Sequence, residues 1–524
     1  MSGNLPNPEP PILRRRIRWW PAVLVFVATG VAVAVIRGRS DLPFQSRNLN
    51  SMVAVILGVA GLWLWWLLAS RAAWRWRFAV CGGALVVVGL LAATFRIRGV
   101  SGDLLPILEP RWTREPVSNV ERVVSPTDET LPPASDRPDF PQFLGPNRNC
   151  VIEGVTLDPD WTAHPPVVLW RQPIGAAWSG FAVVGNRAVT QEQRGEEELV
   201  TCYDVATGRR LWGHADPARF DTTIAGVGPR ATPTIVSNRV FTLGATGWLN
   251  CLELENGKSV WQRQITGDAE SKAPGWGFAG SPLWLDRRII VSAGGRQDHS
   301  LLAYDAATGE MVWHGGSDSA GYSSPFVAEL DGTTQILSFN GPGIAAHAPE
   351  DGRVLWQYPW GRGQPHVAEP VIVGPDRVVF SSGYGVGAEL LQVRPDAQGE
   401  WQVESLWQSR ALKAKFANFI AKEGYLYGLD DGILACVDLA DGRRVWKEGR
   451  YGHGQMLRVG EHVLLTAENG ELILLAPTPE GPNERQRFKV FSDKTWNPPA
   501  LSGDLLLLRN DQEAACVRVA LAGA

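Results

Sequence analysis

The chain has 524 residues, with 50 Lys and Arg set against 54 Asp and Glu for a formal charge of -4. That balance excludes a dedicated nucleic-acid binder, whose surface carries a basic field. The 56 Gly and 37 Pro suit a fold with many tight turns, and the positions of the 23 Trp prove more informative than their number.

Three apolar runs open the chain, at about 19–36, 51–69 and 78–95. Each approaches the ~20 residues a helix needs to cross hydrocarbon, and none has a charge in its interior. Arg14, Arg15, Arg16 and Arg18 precede the first run, and Arg71, Arg75 and Arg77 fill the loop after the second. Arg37, Arg39 and Arg47, offset by Asp41, fill the first connection, and Arg96 and Arg98 follow the third. The contrast predicts a cytoplasmic N-terminus, an anchor in the inner (cytoplasmic) membrane and a periplasmic remainder. A cleaved signal peptide is the rival reading of the first run. Residues 99–140, rich in Pro, Ser, Thr and charge, read as a linker between a membrane anchor (1–98) and a folded domain (141–524).

The folded part repeats itself. LVTCYDVATGRRLW (199–212), WLNCLELENGKSVW (248–261), SLLAYDAATGEMVW (300–313), GIAAHAPEDGRVLW (343–356) and ILACVDLADGRRVW (433–446) share one plan: strand, polar turn, strand, closing Trp. Gly208, Gly257, Gly309, Gly352 and Gly442 each stand four residues before that Trp. The Gly supplies positive φ in a hairpin with a bulge, and Asp204, Asp305 and Asp438 cap the turn. Closing aromatics recur about every 40–50 residues at Trp170, Trp212, Trp261, Trp313, Trp356, Trp407 and Trp446. Trp170 has a closing strand with no repeat before it, and the last unit, AACVRV (514–519), has no closing strand after it. The economical solution is a circle in which 167–172 completes the C-terminal unit. The fold class is therefore all-β: an eight-bladed β-propeller of four-stranded antiparallel blades, with seven blades possible, preceded by three transmembrane helices. Cys202, Cys251, Cys436 and Cys516 occupy matching strands of different units, which argues against disulfides.

The Tyr-Asp-x-x-Thr-Gly-x-x-x-Trp form at 203–212 and 304–313 resembles the repeat of pyrroloquinoline-quinone (PQQ) propellers, and the opening FPQFLGPNRNC (140–150) resembles the start of BamB-like, membrane-anchored members from planctomycete-type bacteria. The resemblance implies one of two lives. Quinoprotein dehydrogenases hold PQQ and Ca²⁺ in the funnel and oxidise alcohols or sugars. BamB-like propellers take no cofactor and act as scaffolds. The chain lacks the vicinal Cys pair of the alcohol-oxidising group and has no cytochrome motif.

The segments that enter each blade are WSGF (178–181), RATP (230–233), AGSP (279–282), YSSP (322–325), VAEP (367–370), KFAN (415–418), GHGQ (452–455) and WNPP (496–499). They bring Trp178, Arg230, Tyr322, Lys415 and Trp496 to one level, with Trp276 nearby. This aromatic and basic set could stack on and pair with a planar anion such as PQQ. Glu369 is the one carboxylate in these segments, the candidate catalytic base and, with Asn418, the candidate metal ligand. The bland reading is a wet channel lining. Asp298 and His299 stand side by side, too little for a metal site or triad. The leading expectation is a membrane-anchored, non-enzymatic scaffold with no cofactor and an envelope protein as partner. The alternatives are a PQQ- and Ca²⁺-dependent dehydrogenase and a ligand-sensing or carbohydrate-binding module.

Overall fold

The computed structural model describes residues 17–39, 42, 44–113, 137–361 and 363–523. Arg14, Arg15, Arg16 and most of the expected linker lie outside the described residues. The chain divides into two compact units, Met1–Thr113 and Arg114–Ala524.

The first unit contains three helices long and apolar enough to cross a membrane: Trp20–Gly38, Phe44–Ala69 and Trp74–Thr94. None of their apolar stretches is covered by the rest of the described chain. The second helix begins before its apolar run. Its polar first turns are held by the neighbouring helix, where the Arg37 guanidinium donates to Asn48 Oδ1 at 2.7 Å. It ends in a π-turn, Trp65–Ala69, where the Trp65 indole donates to the Arg18 carbonyl at 3.0 Å. Part of the stretch read as linker is a hairpin, Phe95–Val100 against Pro106–Pro110, closed by the Arg96–Glu109 ion pair at 2.9 Å.

The second unit is an eight-bladed antiparallel propeller. Blades 1–7 span 182–216, 234–264, 283–315, 326–359, 371–409, 420–450 and 455–489. Blade 8 takes three strands from 500–518, and its outermost strand is Val167–Pro173. Cys516 faces Trp170 there, as Cys202 faces Trp212 in blade 1 and Cys251 faces Trp261 in blade 2. Each of these pairings carries a bulge beside the Trp, the irregularity that the Gly-containing turn requires.

Every closing Trp but Trp356 reaches out of its own blade. Trp170 donates through its indole N–H to the Val205 carbonyl of blade 1, Trp212 to Leu254 of blade 2, Trp261 to Ala306 of blade 3 and Trp313 to Pro349 of blade 4. These bonds measure 2.8–3.0 Å. The same ring lies on the next blade's turn Gly. A Cβ at Gly208 would stand 2.7 Å from the Trp170 ring, and one at Gly309 would stand 2.6 Å from Trp261. With φ between 71° and 76°, the five repeat glycines are thus required twice, for conformation and for the missing side chain. The apolar core lies between adjacent blades; Cys202 and Trp212 of blade 1, for example, pack with Ile235 and Val240 of blade 2. All six cysteines are free.

Candidate functional site

The central channel is where all eight blades meet, and its residues fall into three layers. The first is a ring of hydrogen bonds made by the segments that enter the blades. These segments are loops preceding the inner strands, so their backbone N–H groups have no ladder partner and need one. The next blade supplies it. Gly180 N donates to Thr232 Oγ1 at 3.0 Å, Thr232 N to Ser281 Oγ at 2.9 Å and Ser281 N to Ser324 Oγ at 3.0 Å. Ser324 N then donates to Glu369 Oε1 at 2.7 Å, and Glu369 N to Asn418 Oδ1 at 2.8 Å. The Gln455 amide donates to the carbonyls of Phe416 and Trp496, and the Asn497 amide to those of Ala177 and Ser179, which closes the circle. Every side chain in this ring is buried.

Glu369 and Asn418 therefore serve as acceptors for backbone groups. The second oxygen of Glu369 accepts from Ser323 Oγ at 3.1 Å. Burial pushes the Glu369 carboxyl above its ordinary range, opposed by the attraction of Arg148 and the bonds from Ser324 and Ser323. A carboxyl facing a guanidinium and already bonded on both oxygens does not fit a hard cation, which asks for six to eight oxygens. No group of three metal-binding side chains occurs among the described residues.

The second layer is aromatic and lies on the entry side of the ring. Trp178 and Trp496 pack at 4.9 Å between centroids, Trp496 and Phe416 at 5.1 Å, Phe416 and Trp276 at 6.1 Å, and Trp276 and Tyr322 at 4.9 Å. Tyr384 joins at 6.3 Å from Trp276. Two ammonium groups sit on these rings: Lys494 at 4.6 and 4.2 Å from Trp178 and Trp496, and Lys415 at 5.2 and 5.1 Å from Tyr384 and Phe416. The structure thus brings five of the sequence candidates, Trp178, Trp276, Tyr322, Lys415 and Trp496, into one cluster. Arg230 stands beside it, sharing the Ala225 carbonyl with the Trp178 indole N–H. Its guanidinium donates to the carbonyls of Ala225, Gly226 and Gly228 in its own loop and lies 4.3 Å over Phe220. Burial lowers its pKa to about 10. Phe416, Tyr384 and Lys494 escaped the sequence reading; Phe416 follows Lys415 directly, and Lys494 stands two residues before Trp496, so adjacency was the available signal.

The third layer is a strap formed by the segment just before the propeller. It runs along the free inner edges of the blades. Phe140 exchanges both backbone bonds with Val183 of blade 1, and the Pro141 carbonyl accepts from Ile235 N of blade 2. Arg148 then enters the channel and donates to the carbonyls of Pro282, Ser281 and Pro325 at 3.1–3.3 Å. Burial brings its pKa down to about 10, with Glu369 acting in the opposite sense. Val151–Ile152 finally adds as a parallel strand to Gln455–Val459 of blade 7. A cavity of about 380 Å³ remains between the strap and blades 4–7, lined by Arg148, Glu153, Glu369, Asn418 and Arg458 among others.

Comparison with known proteins agrees with this architecture. The family model described as "Outer membrane protein assembly factor BamB" matches residues 195–448. The outer membrane protein assembly factor BamB of Moranella endobia is 23% identical over 46% of this chain and 61% of its own length. The quinohemoprotein alcohol dehydrogenase ADH IIB of Pseudomonas putida is 27% identical over 26% of this chain, and the match spans 20% of that enzyme. Among solved structures, BamB from Moraxella catarrhalis covers 67% of this chain and 97% of its own, with a TM-score of 0.50 at 14% identity. The quinohemoprotein alcohol dehydrogenase of Comamonas testosteroni covers 73% of this chain and 80% of its own, with a TM-score of 0.52 at 11% identity. The chain is related to the BamB and PQQ-type propellers.

These relatives correct one expectation. The arginine pattern pointed to the inner membrane with a periplasmic propeller, whereas the matching family model and its BamB relatives are named for outer-membrane assembly. The pattern discriminates poorly for a physical reason. Arginines flank both ends of the helices: Arg37, Arg39 and Arg47 fill the first connection and Arg96 and Arg98 follow the third helix, so the contrast between the two sides is small.

Proposed function

We propose that this relative of the BamB and PQQ-type propellers is a non-enzymatic scaffold, joined to a membrane by its N-terminal helices, that binds a protein partner. The observation that carries the reading is the closed ring of hydrogen bonds. It uses Glu369 and Asn418, the best candidates for a base and a metal ligand, to hold neighbouring blades together. A group fixed on a backbone N–H is poorly placed to take a substrate proton. The strap adds to this by pairing the chain's own backbone with the inner edges of the blades and bringing Arg148 against the carbonyls of Ser281, Pro282 and Pro325. The rim of the propeller suits a binding role. Its outermost strands have open edges, and the residue before the closing Trp is exposed and apolar at Val260, Val312, Leu406 and Val445.

A second reading, a PQQ- and Ca²⁺-dependent dehydrogenase, draws on the aromatic cluster with its two lysines, a surface complementary to a planar anion. One experiment separates the two. The full-length protein in detergent is supplied with PQQ and Ca²⁺, and dye reduction is followed over a panel of alcohols and sugars, with calorimetry for cofactor binding. The scaffold reading expects no substrate-dependent turnover. Saturable micromolar PQQ binding with turnover, lost on Glu369→Gln, would overturn it.

A further inference from the structure

The hairpin that follows the third helix has two unlike faces. Side chains alternate along a strand, so Phe95 and Ile97 share one face and Arg96 points to the other. The register carries this across to the returning strand: Ile97 stands opposite Leu108, and Arg96 opposite Glu109. The Arg96–Glu109 ion pair closes the charged face, and Glu109 is half-buried. On the apolar face Ile97 and Leu108 are both exposed, as are Leu105 at the tip and Trp112 just beyond the last strand residue. An isolated two-stranded hairpin is marginal in water unless something covers its apolar face.

Both ends of the hairpin are tied to one end of the helices. Its first strand continues from Thr94 without a break. The returning strand is held at the same place by Arg111, whose backbone N–H donates to the Thr94 carbonyl and whose guanidinium donates to the Ala92 carbonyl, each at 2.8 Å. The tip reaches the second helix, where the Asn48 amide donates to the Asp103 carbonyl at 3.1 Å. Asn48 lies in the first turns of that helix and accepts from Arg37 in the last turn of the first helix. The hairpin therefore lies across the end of the helices and does not stand away from them. That end is where the apolar spans give way to polar residues, the level at which lipid headgroups meet hydrocarbon.

We propose that this hairpin is an interfacial membrane contact whose Ile97–Leu108 face, with Leu105 and Trp112, rests in the headgroup and upper acyl region of the leaflet at that end. Lipid is the occupant because the exposed surface of the third helix, at Leu90 and Leu91, runs into the strand with only a few residues between them. The ties at Thr94 and Asn48 hold the face at that depth. Trp112 beside Arg111 is the pairing of ring and cation that membrane boundaries favour. The hairpin is the strand counterpart of an amphipathic helix lying in the interface, apolar on one face and charged on the other. It fixes the height at which the chain leaves the anchor. The proposal rests on the membrane-anchored part of the scaffold reading.

The test uses the full-length protein in phosphatidylcholine vesicles, with Cys81→Ser so that the five remaining, buried cysteines stay unlabelled. Ile97→Cys and Leu108→Cys carry a bimane fluorophore; Leu85→Cys, midway along the third helix, and Glu255→Cys, exposed on blade 2, are the references. Quenchers are nitroxides on lipid carbon 5 or carbon 12, and iodide in the water. At residues 97 and 108 the shallow nitroxide should quench at least about twofold more than the deep one, and iodide at least about threefold less than at residue 255, as for groups buried at the headgroup boundary. At residue 85 the deep nitroxide should quench more. All four sites are exposed, and an unchanged thermal melt certifies the fold of each variant. Iodide quenching at residue 97 or 108 equal to that at residue 255 would put the face in water and overturn the proposal. Protection from iodide and from both nitroxides would mean that protein covers the face, and would also overturn it. Either result leaves the anchor standing as long as residue 85 reads as deep. If residue 85 is reached by neither nitroxide, the anchor falls and the hairpin contact falls with it.

Discussion

Two joints of the propeller use the same residue for different ends. At the joint between blades 3 and 4, Trp313 crosses to the next blade, donates to the Pro349 carbonyl and lies on Gly352. At the joint between blades 4 and 5, Trp356 stays within its own blade and donates to Gln335 Oε1 at 2.7 Å. The cause is the turn it would have met. Blade 5 extends its last two strands to nine residues each, Gly387–Pro395 and Trp401–Ser409, and carries the hairpin tip away. Gly399, at that tip, has nothing within 4 Å of where a Cβ would stand. Other contacts take over: Tyr358 donates to Glu389 Oε1 at 2.7 Å, and Trp360 packs edge-on against Phe380 at 4.9 Å. A repeated Trp thus has no fixed role of its own; the length of the neighbouring turn decides whether it clasps or fills.

The joint between blades 8 and 1 is the most demanding case, because its clasp comes from the far end of the sequence. Removing 165–172 takes away Trp170, its bond to Val205 and the partner strand of Glu513–Arg518. Blade 8 is left with an open edge, and a closed ring cannot lose one joint without exposing two core faces. The deletion should abolish cooperative unfolding of the propeller, read by tryptophan fluorescence in a denaturant series. A midpoint equal to that of the parent would show that clasping at this joint is dispensable.

Much of this was legible in advance. The unpaired closing Trp170 and the unfinished strand at 514–519 point to one another in the sequence, and the structure pairs them. The turn glycines were readable from their spacing, but only for conformation; that a Trp from the preceding blade lies on each is a fact of three dimensions. The polar ring was half visible. Thr232, Ser281, Ser324 and Glu369 occupy one column of the entry segments, yet nothing in a column says that a side chain reaches back to a neighbouring backbone. The strap was not legible, because 140–152 has no period and its bonds go to strands up to hundreds of residues away. Arg148 reads as one more surface arginine until the carbonyls of blades 3 and 4 surround it.

The joint between blades 1 and 2 should respond to pH through one buried carboxyl pair. Glu198 faces Asp216 across the strand pair of blade 1 and is buried. Burial first, then Asp216, push its carboxyl up to about 8, opposed by Arg230. Asp216 in turn accepts from the amides of Asn250 and Gln262 in blade 2, and His214 lies 3.4 Å from it. The folded protein therefore holds the Glu198 proton where the unfolded chain, ionising near 4.5, has lost it. A raised carboxyl pKa means that stability falls as pH rises from about 4.5 and levels off above about 8. At ~1.4 kcal/mol per unit the full span is on the order of 5 kcal/mol. Glu198→Gln should flatten this slope and raise the denaturant midpoint at pH 8 relative to the parent, with little change at pH 5. Parallel curves for the two proteins would remove the pH element from this joint.

The smallest expected effect separates clasp from turn most cleanly. Gly309→Ala and Gly399→Ala place the same methyl at two turn glycines of positive φ, 73° and 87°. The conformational cost for an L-residue there is about 1 kcal/mol at either site. At Gly399 nothing else is met, so that cost is the whole effect. At Gly309 the methyl would stand 2.6 Å from the Trp261 ring, which is held by its bond to Ala306 and by the packing of blade 3. The ring must shift and weaken that bond, adding about 1–3 kcal/mol as overpacking does elsewhere. Denaturant melts of the two variants should therefore differ by more than 1 kcal/mol, with Gly309→Ala the less stable. The difference should vanish when each is combined with Trp261→Ala, since the methyl at residue 309 then has room. Equal losses in the single variants would mean that these glycines serve the turn alone, and that the indole–glycine contact contributes nothing to joining the blades.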